Sequence, residues 1–166
     1  LQFAASAYEQ GVVRADWPAL MQRLSTGNLI ALVPPGSELW LDGGHNAEGG
    51  GVAAAALADL EERVSRPLVM IVGMLSTKDS AGFLRNFTGL ARRLIAIPIH
   101  QDKTLPPEAV AAAAEAAGIP ADIAPTIEAA LAKATALDLS PPPRILIGGS
   151  LYLAGEVLAA NGTPPT

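Results

Sequence analysis

The sequence contains no cysteine, which excludes disulfides, thiolate catalysis and cysteine-based zinc sites and fits a reducing, cytoplasmic setting. It is also poor in charge: 16% of its residues are Asp, Glu, Lys or Arg, against about 25% in an average soluble protein. No basic block exceeds Arg92-Arg93, and 11 basic against 16 acidic residues leave a formal charge of −5. Counterion-release binding to nucleic acid needs a cationic stripe, so a nucleic-acid partner is not expected. Long hydrophobic runs are missing too. Stretches such as Gly51 to Leu60 are too short and too alanine-rich for a bilayer, which takes about 20 apolar residues. Only two histidines occur, and His100 has no spaced partner, so no metal site is expected in this chain.

What is present is apolar. Half of the 166 residues are hydrophobic, which is incompatible with a disordered tail and sufficient for the core of one domain spanning residues 1–166. The start, Leu1-Gln2-Phe3-Ala4, has no initiator Met, basic n-region or cleavage signal. It reads as the interior of a longer sequence.

A short helix is expected over residues 1–10, ended by Gly11, and residues 12–36 are mixed. From there a rhythm sets in. Glu38-Leu39-Trp40-Leu41-Asp42 reads as a strand and residues 49–64 as a helix, followed by the continuous apolar run Leu68 to Gly73, of the kind buried on both faces of a sheet. A helix near 79–87, a strand at 93–97 and a helix running from Pro106-Pro107-Glu108 to Gly118 follow. A weak strand at 122–124, a helix near 126–137, the strand Arg144 to Gly148 and a last helix from Ser150 complete the pattern. Such alternation predicts an α/β three-layer, Rossmann-like domain, with helices on both faces of a mostly parallel sheet of about six strands. The tail from Gly162 to Thr166 is expected to fray.

In such sheets ligands bind beyond the carboxyl ends of the strands, and three strand ends stand out. At residues 41–51 Asp42 closes a strand, Gly43-Gly44 allows a tight turn, His45 and Asn46 point to the crevice, and Glu48 with Gly49–Gly51 opens a helix whose free N–H groups favour an anion. The plainer alternative makes Asp42 and Asn46 turn caps and His45 a surface residue. At residues 73–79 Lys78 can meet an anion, or be a solvated lysine beside an N-cap Asp79. At residues 148–152 Ser150 caps the last helix, or holds a carboxylate there. The glycines have the wrong spacing for a dinucleotide fingerprint. A Ser150/His45/Asp42 hydrolase lacks the nucleophile elbow, and its acid and base share one turn.

Together these segments resemble the C-terminal domain of the folylpolyglutamate synthase family, including its bifunctional dihydrofolate synthase form, within the Mur ligase superfamily of ATP-dependent amide ligases. Trp17-Pro18-Ala19 is similar to the family's W-P-[GA]-R segment. Asp42-Gly43-Gly44-His45-Asn46 is similar to D-G-A-H-N-P, with Gly44 for Ala and Ala47 for Pro. Gly73 with Lys78-Asp79 is similar to G-x(4)-K-D, and Gly149-Ser150-Leu151-Tyr152-Leu153 to G-S-L-Y-L. The resemblance runs from about Gly11 to Gly155, nearly the whole chain.

The resemblance implies an enzyme that uses ATP and Mg2+ to turn a folate or dihydropteroate carboxylate into an acyl phosphate, which the amine of L-glutamate then attacks. It implies that the phosphate loop, metal ligands and most of the folate site lie in an N-terminal domain. Nothing here matches G-x-x-x-x-G-K-[ST], so that domain is a partner outside this chain and the chain alone is expected to be inactive. Carried over, Asp42 faces ATP, His45 and Ser150 lie near glutamate, and Lys78 and Asn46 are anion-binding candidates. Leu20 stands where the family has Arg: either Arg14 or Arg23 substitutes for it, or nucleotide handling is weakened, or this chain has diverged. The alternative from another class is a stand-alone binding or scaffold module of the same fold. A peptidoglycan-type Mur ligase domain ranks last, because G-S-L-Y-L is not expected there.

Overall fold

The structure, a computed structural model, describes residues 21–163. The helix expected over residues 1–10, the Trp17 segment, Arg14, Leu20 and the end of the tail lie outside the described residues.

Six strands form one sheet: β1 (Gln22–Leu24), β2 (Glu38–Leu41), β3 (Leu68–Val72), β4 (Ala91–Ala96), β5 (Ala121–Ile123) and β6 (Arg144–Gly148). Their spatial order is β1-β2-β6-β3-β4-β5. Only β1 runs antiparallel to its neighbour; β2, β6, β3, β4 and β5 are parallel. Among the described residues five α-helices connect and follow them: α1 (Ala47–Arg63), α2 (Ser80–Arg85), α3 (Pro107–Ala116), α4 (Ile127–Ala136) and α5 (Leu151–Asn161). The α/β three-layer architecture expected from the alternation is the one observed.

Side chains of a strand alternate between faces, and the core divides accordingly. Leu39, Leu41, Val69, Ile71, Ile95, Ile145 and Ile147 pack with Leu131 and Ala134 of α4 and Val157 and Leu158 of α5. Met70, Val72, Leu94, Ala96 and Leu146 point the other way, onto Leu57 of α1, Phe83 and Leu84 of α2, and Val110 and Ala114 of α3. The central strands β3 and β6 are buried along their whole length, which is why both read as unbroken apolar runs.

Local chemistry sets the helix boundaries. Asn46 caps α1 by accepting the Gly49 N–H at 2.7 Å, and Glu48 and Arg63 sit at the ends where the helix dipole favours their charges. Gly50 has a packing reason: a Cβ there would lie 2.7 Å from Asn86 Nδ2 and 2.9 Å from the Phe83 carbonyl, so the absent side chain lets α1 rest on α2. Thr126 caps α4, Asp79 caps α2, and Gly162 ends α5 in the left-handed conformation.

Residues 12–36 carried no clear signal, yet their described part is ordered into β1 and a 3-10 turn, Asn28–Leu32. Leu24 pairs in register with Leu39. Buried Asn161 of α5 accepts the Leu29 N–H and donates to the Thr26 carbonyl. Both anchors come from distant sequence. Among the described residues no helix is long and apolar enough to cross a membrane.

Candidate functional site

The connections α1, α2 and α3, which follow β2, β3 and β4, lie on one face of the sheet, whereas α4 and α5 lie on the other. Because β6 sits between β2 and β3, its chain leaves toward one face while both neighbours leave toward the opposite one. That reversal is a topological switch point beyond the carboxyl ends of β2, β6 and β3, the place where open α/β sheets bind ligands.

The three exits touch through their backbones. The Asp42 N–H donates to the Ile147 carbonyl at 3.0 Å, and the Gly73 N–H donates to the Gly148 carbonyl at 3.3 Å. Gly149 adopts φ +108°, and a Cβ on it would fall 2.6 Å from the Gly73 carbonyl oxygen. Only glycine lets β6 turn there against β3. The corners bearing Asp42 and His45, Lys78, and Ser150 therefore converge at one rim.

Asp42 is buried, 6% exposed. One carboxylate oxygen accepts the Met21 N–H at 3.0 Å and the other the Gly44 N–H at 2.8 Å. Burial pushes its pKa up, while the two amide donors partly oppose that. The turn-cap role is real, and it is joined by a tie to the chain entering β1.

His45 is half-buried, and its Nδ1 lies 3.3 Å from the Gly43 carbonyl oxygen. A carbonyl only accepts, so a hydrogen bond here puts the hydrogen on Nδ1 and makes Nε2 the acceptor nitrogen of the neutral ring. Burial holds the imidazole below the usual histidine range. The Gly43 carbonyl opposes this, and the nearby Lys78 charge reinforces it. Lys78 itself is exposed, next to Asp79, whose carboxylate accepts the Gly82 N–H at 3.0 Å.

Ser150 is 3% exposed. Its Oγ accepts the Tyr152 N–H at 3.0 Å and the Leu153 N–H at 3.4 Å, which makes it the N-cap of α5; a hydroxyl so engaged still has its own proton to donate. Asn46 is exposed with its side-chain oxygen committed to the cap of α1. The hydrolase arrangement rejected from sequence has no support in the geometry, since His45 Nδ1 faces Gly43 rather than Asp42.

Arg23, a candidate substitute for the family arginine, pairs in register with Trp40, and its charge is felt at Glu38. Glu38 begins β2, so this side chain acts toward the opposite end of the strand from Asp42. A cavity of about 660 Å3 also opens at that opposite edge, where Leu68, Ala91 and Arg144 begin their strands. It is remote from the rim. Among the described residues no three His, Asp or Glu side chains gather as a metal-binding group. These residues do not fit a Mg2+ site.

Two features of the rim were not legible in the motifs: the backbone N–H of Met21 on Asp42, and the Gly43 carbonyl that fixes the tautomer of His45. The Gly-Gly pair 148–149 was a usable signal for the close approach of β6 to β3.

A three-layer α/β domain with its polar residues at a topological switch point is the class defined by this geometry. Residues 29–151 match the family described as Mur ligase, glutamate ligase domain, and the chain belongs to that family. It is 28% identical over 150 residues to the folylpolyglutamate synthase of Lacticaseibacillus casei, covering 89% of this chain and 30% of that protein. The structure of Mycobacterium tuberculosis folylpolyglutamate synthase complexed with ADP superposes with a TM-score of 0.74 at 23% identity, over 99% of this chain and 37% of that one. The bifunctional folylpolyglutamate synthase/dihydrofolate synthase of Yersinia pestis gives 0.68 at 23% identity, over 96% and 35%. The resemblance drawn from the four motifs is borne out. The chain spans about a third of the length of these relatives.

Proposed function

We propose that this chain is the closing domain of an ATP-dependent folate–glutamate ligase, completing the ATP site and presenting L-glutamate to an acyl phosphate formed on a folate or dihydropteroate carboxylate. The observation that carries the reading is the convergence of Asp42, His45, Lys78 and Ser150 at one switch point in a chain of the glutamate ligase domain family. The ADP named with the Mycobacterium tuberculosis relative supports a nucleotide as co-substrate.

The division of labour follows from the chemistry of each group. Asp42 holds the entering chain at Met21 and thereby sets the border facing the nucleotide. The N-terminus of α5 and the Ser150 hydroxyl suit a glutamate carboxylate, because a helix N-terminus offers a positive field and a capping hydroxyl still has a hydrogen to give. Lys78, exposed at the same rim, adds charge for an anion, and Asn46 shapes the turn beneath it as the cap of α1. The phosphate loop and the Mg2+ that an ATP reaction uses belong to a partner N-terminal domain, so this chain alone is inactive.

The test joins this chain to its N-terminal half and measures ADP formation. The expected result is ADP release that requires both a folate or pteroate and L-glutamate. ADP release independent of any amino acid would overturn the proposal.

A further inference from the structure

An acyl phosphate reacts with a free amine, whereas the α-amine of an amino acid near neutral pH is an ammonium and has no lone pair. A ligase of this kind therefore needs a proton acceptor beside the amine, positioned within hydrogen-bond reach. We propose that Nε2 of His45 is that acceptor, so that His45 meets the amine end of glutamate while the N-terminus of α5 meets a carboxylate.

The geometry restricts the imidazole to this part. Nδ1 faces the Gly43 carbonyl at 3.3 Å, which accepts and cannot donate, so the ring hydrogen is fixed on Nδ1 and Nε2 carries the lone pair in the neutral ring. A neutral His45 in this tautomer accepts a hydrogen bond from an ammonium and has none to give a carboxylate. Burial and the Lys78 charge both disfavour a positive ring. Lys78 from the β3–α2 loop repels a positive imidazole. Asp42 at the end of β2 is turned to the Met21 and Gly44 amides, Asp79 to the Gly82 amide of α2, and Glu48 is exposed on the first turn of α1. None of these carboxylates is bonded to the ring, and burial acts in the same direction as Lys78.

The step balances. One proton passes from the α-ammonium to Nε2, and the freed nitrogen lone pair forms the C–N bond to the acyl carbon. The tetrahedral centre then collapses as the bond from the acyl carbon to the phosphate oxygen breaks, its electron pair leaving with phosphate. Phosphate takes the second N–H proton and departs as hydrogen phosphate, and the imidazolium, disfavoured beside Lys78, releases its proton to water.

This inference rests on the ligase reading, and its test separates the two. In the full-length protein, product formation with L-glutamate is compared with hydroxamate formation from hydroxylamine, a nucleophile that is unprotonated at neutral pH. His45→Gln should lower kcat with glutamate by about 100-fold or more and remove the acid limb of the kcat/KM profile, while changing hydroxamate formation by less than about threefold. Equal losses with both nucleophiles, or an unchanged acid limb, overturn the assignment. In the unaltered protein, imidazole nitrogen shifts should report a neutral ring protonated on Nδ1 at pH 7; the opposite tautomer or an imidazolium overturns it independently of any variant. Failure of the ligase reading looks different, because the unaltered protein then forms no hydroxamate and any ADP it releases does not depend on L-glutamate.

Discussion

The backbone N–H of Met21 donates to Asp42 Oδ1 at 3.0 Å across 21 residues of sequence, fastening the chain that enters the domain to the end of β2. Met21 has φ 39°, a left-handed conformation that costs a non-glycine residue about 1–2 kcal/mol and that only a specific contact sustains. Asp42 is thereby a positioning residue for the segment leading into β1, and in the proposed function the acid at the nucleotide border.

Replacing Asp42 with Asn keeps one acceptor oxygen for two amide donors, so either Met21 or Gly44 loses its partner. The expected result in the full-length protein is a raised ATP KM with a smaller change in the glutamate KM. In the chain itself, hydrogen exchange should quicken at the Met21 or the Gly44 amide. Unchanged exchange at both would show that the carboxylate does not hold the turn.

Lys78→Met removes the positive charge that, after burial, keeps the His45 imidazolium disfavoured. The His45 pKa should move up toward the ordinary histidine value, and the acid limb of glutamate kcat/KM should move to higher pH with it. An NMR titration of the His45 ring reads the first effect directly, and a stationary titration curve would place Lys78 too far away to matter.

Ser150→Ala deletes the acceptor for two amides at the start of α5. Loss of an N-cap costs about 0.5–2 kcal/mol, visible as a lower denaturation midpoint with an unchanged slope. The same variant should raise the glutamate KM more than the ATP KM. Ser150→Thr, which retains a capping oxygen, should recover most of both, and a glutamate KM shift below twofold in the Ala variant would remove Ser150 from the binding site.

At the opposite edge of the sheet, Arg144 of β6 lies in register with Glu38 of β2, and its Nε donates to Glu38 Oε1 at 2.8 Å. Burial by itself would raise the Glu38 pKa, but Arg144 and the Trp40 indole outweigh it and hold the carboxyl below its ordinary value. A carboxylate with a depressed folded-state pKa contributes stability that is present above the unfolded value, about 4.3, and is lost as pH falls through the folded value. Arg144→Met removes one of the two arginines on Glu38, whose Oε2 still lies 3.3 Å from Arg66 Nε, and should cost about 1.5–3 kcal/mol at neutral pH. Glu38→Gln should flatten the acid side of the stability profile, and an unaltered acid transition would contradict the pairing.

Much of the architecture is legible along the chain because its signals are local. The apolar runs 68–72 and 144–148, the caps at Asn46, Asp79, Thr126 and Ser150, and the punctuation by glycine and proline act within a few residues of themselves. β1 is not legible, since three residues carry no period and Gln22–Leu24 becomes a strand only by pairing with β2. The candidate site divides the same way. The residue types at Asp42, His45, Lys78 and Ser150 are visible as motifs, but Asp42 as an anchor for Met21 and His45 as an acceptor depend on atoms that no motif contains.

The amino-acid order by itself determined the alternation of strands and helices, the glycines that permit sharp exits from β2 and β6, and the chemical groups available at those exits, because propensity, capping and turn formation are short-range. Only the tertiary structure decided that β6 inserts between β2 and β3, that their three exits share one rim, and which ring nitrogen of His45 faces a carbonyl. Those are outcomes of burying two apolar sheet faces at once, a condition that couples residues far apart in the chain and leaves no trace in any short stretch of it.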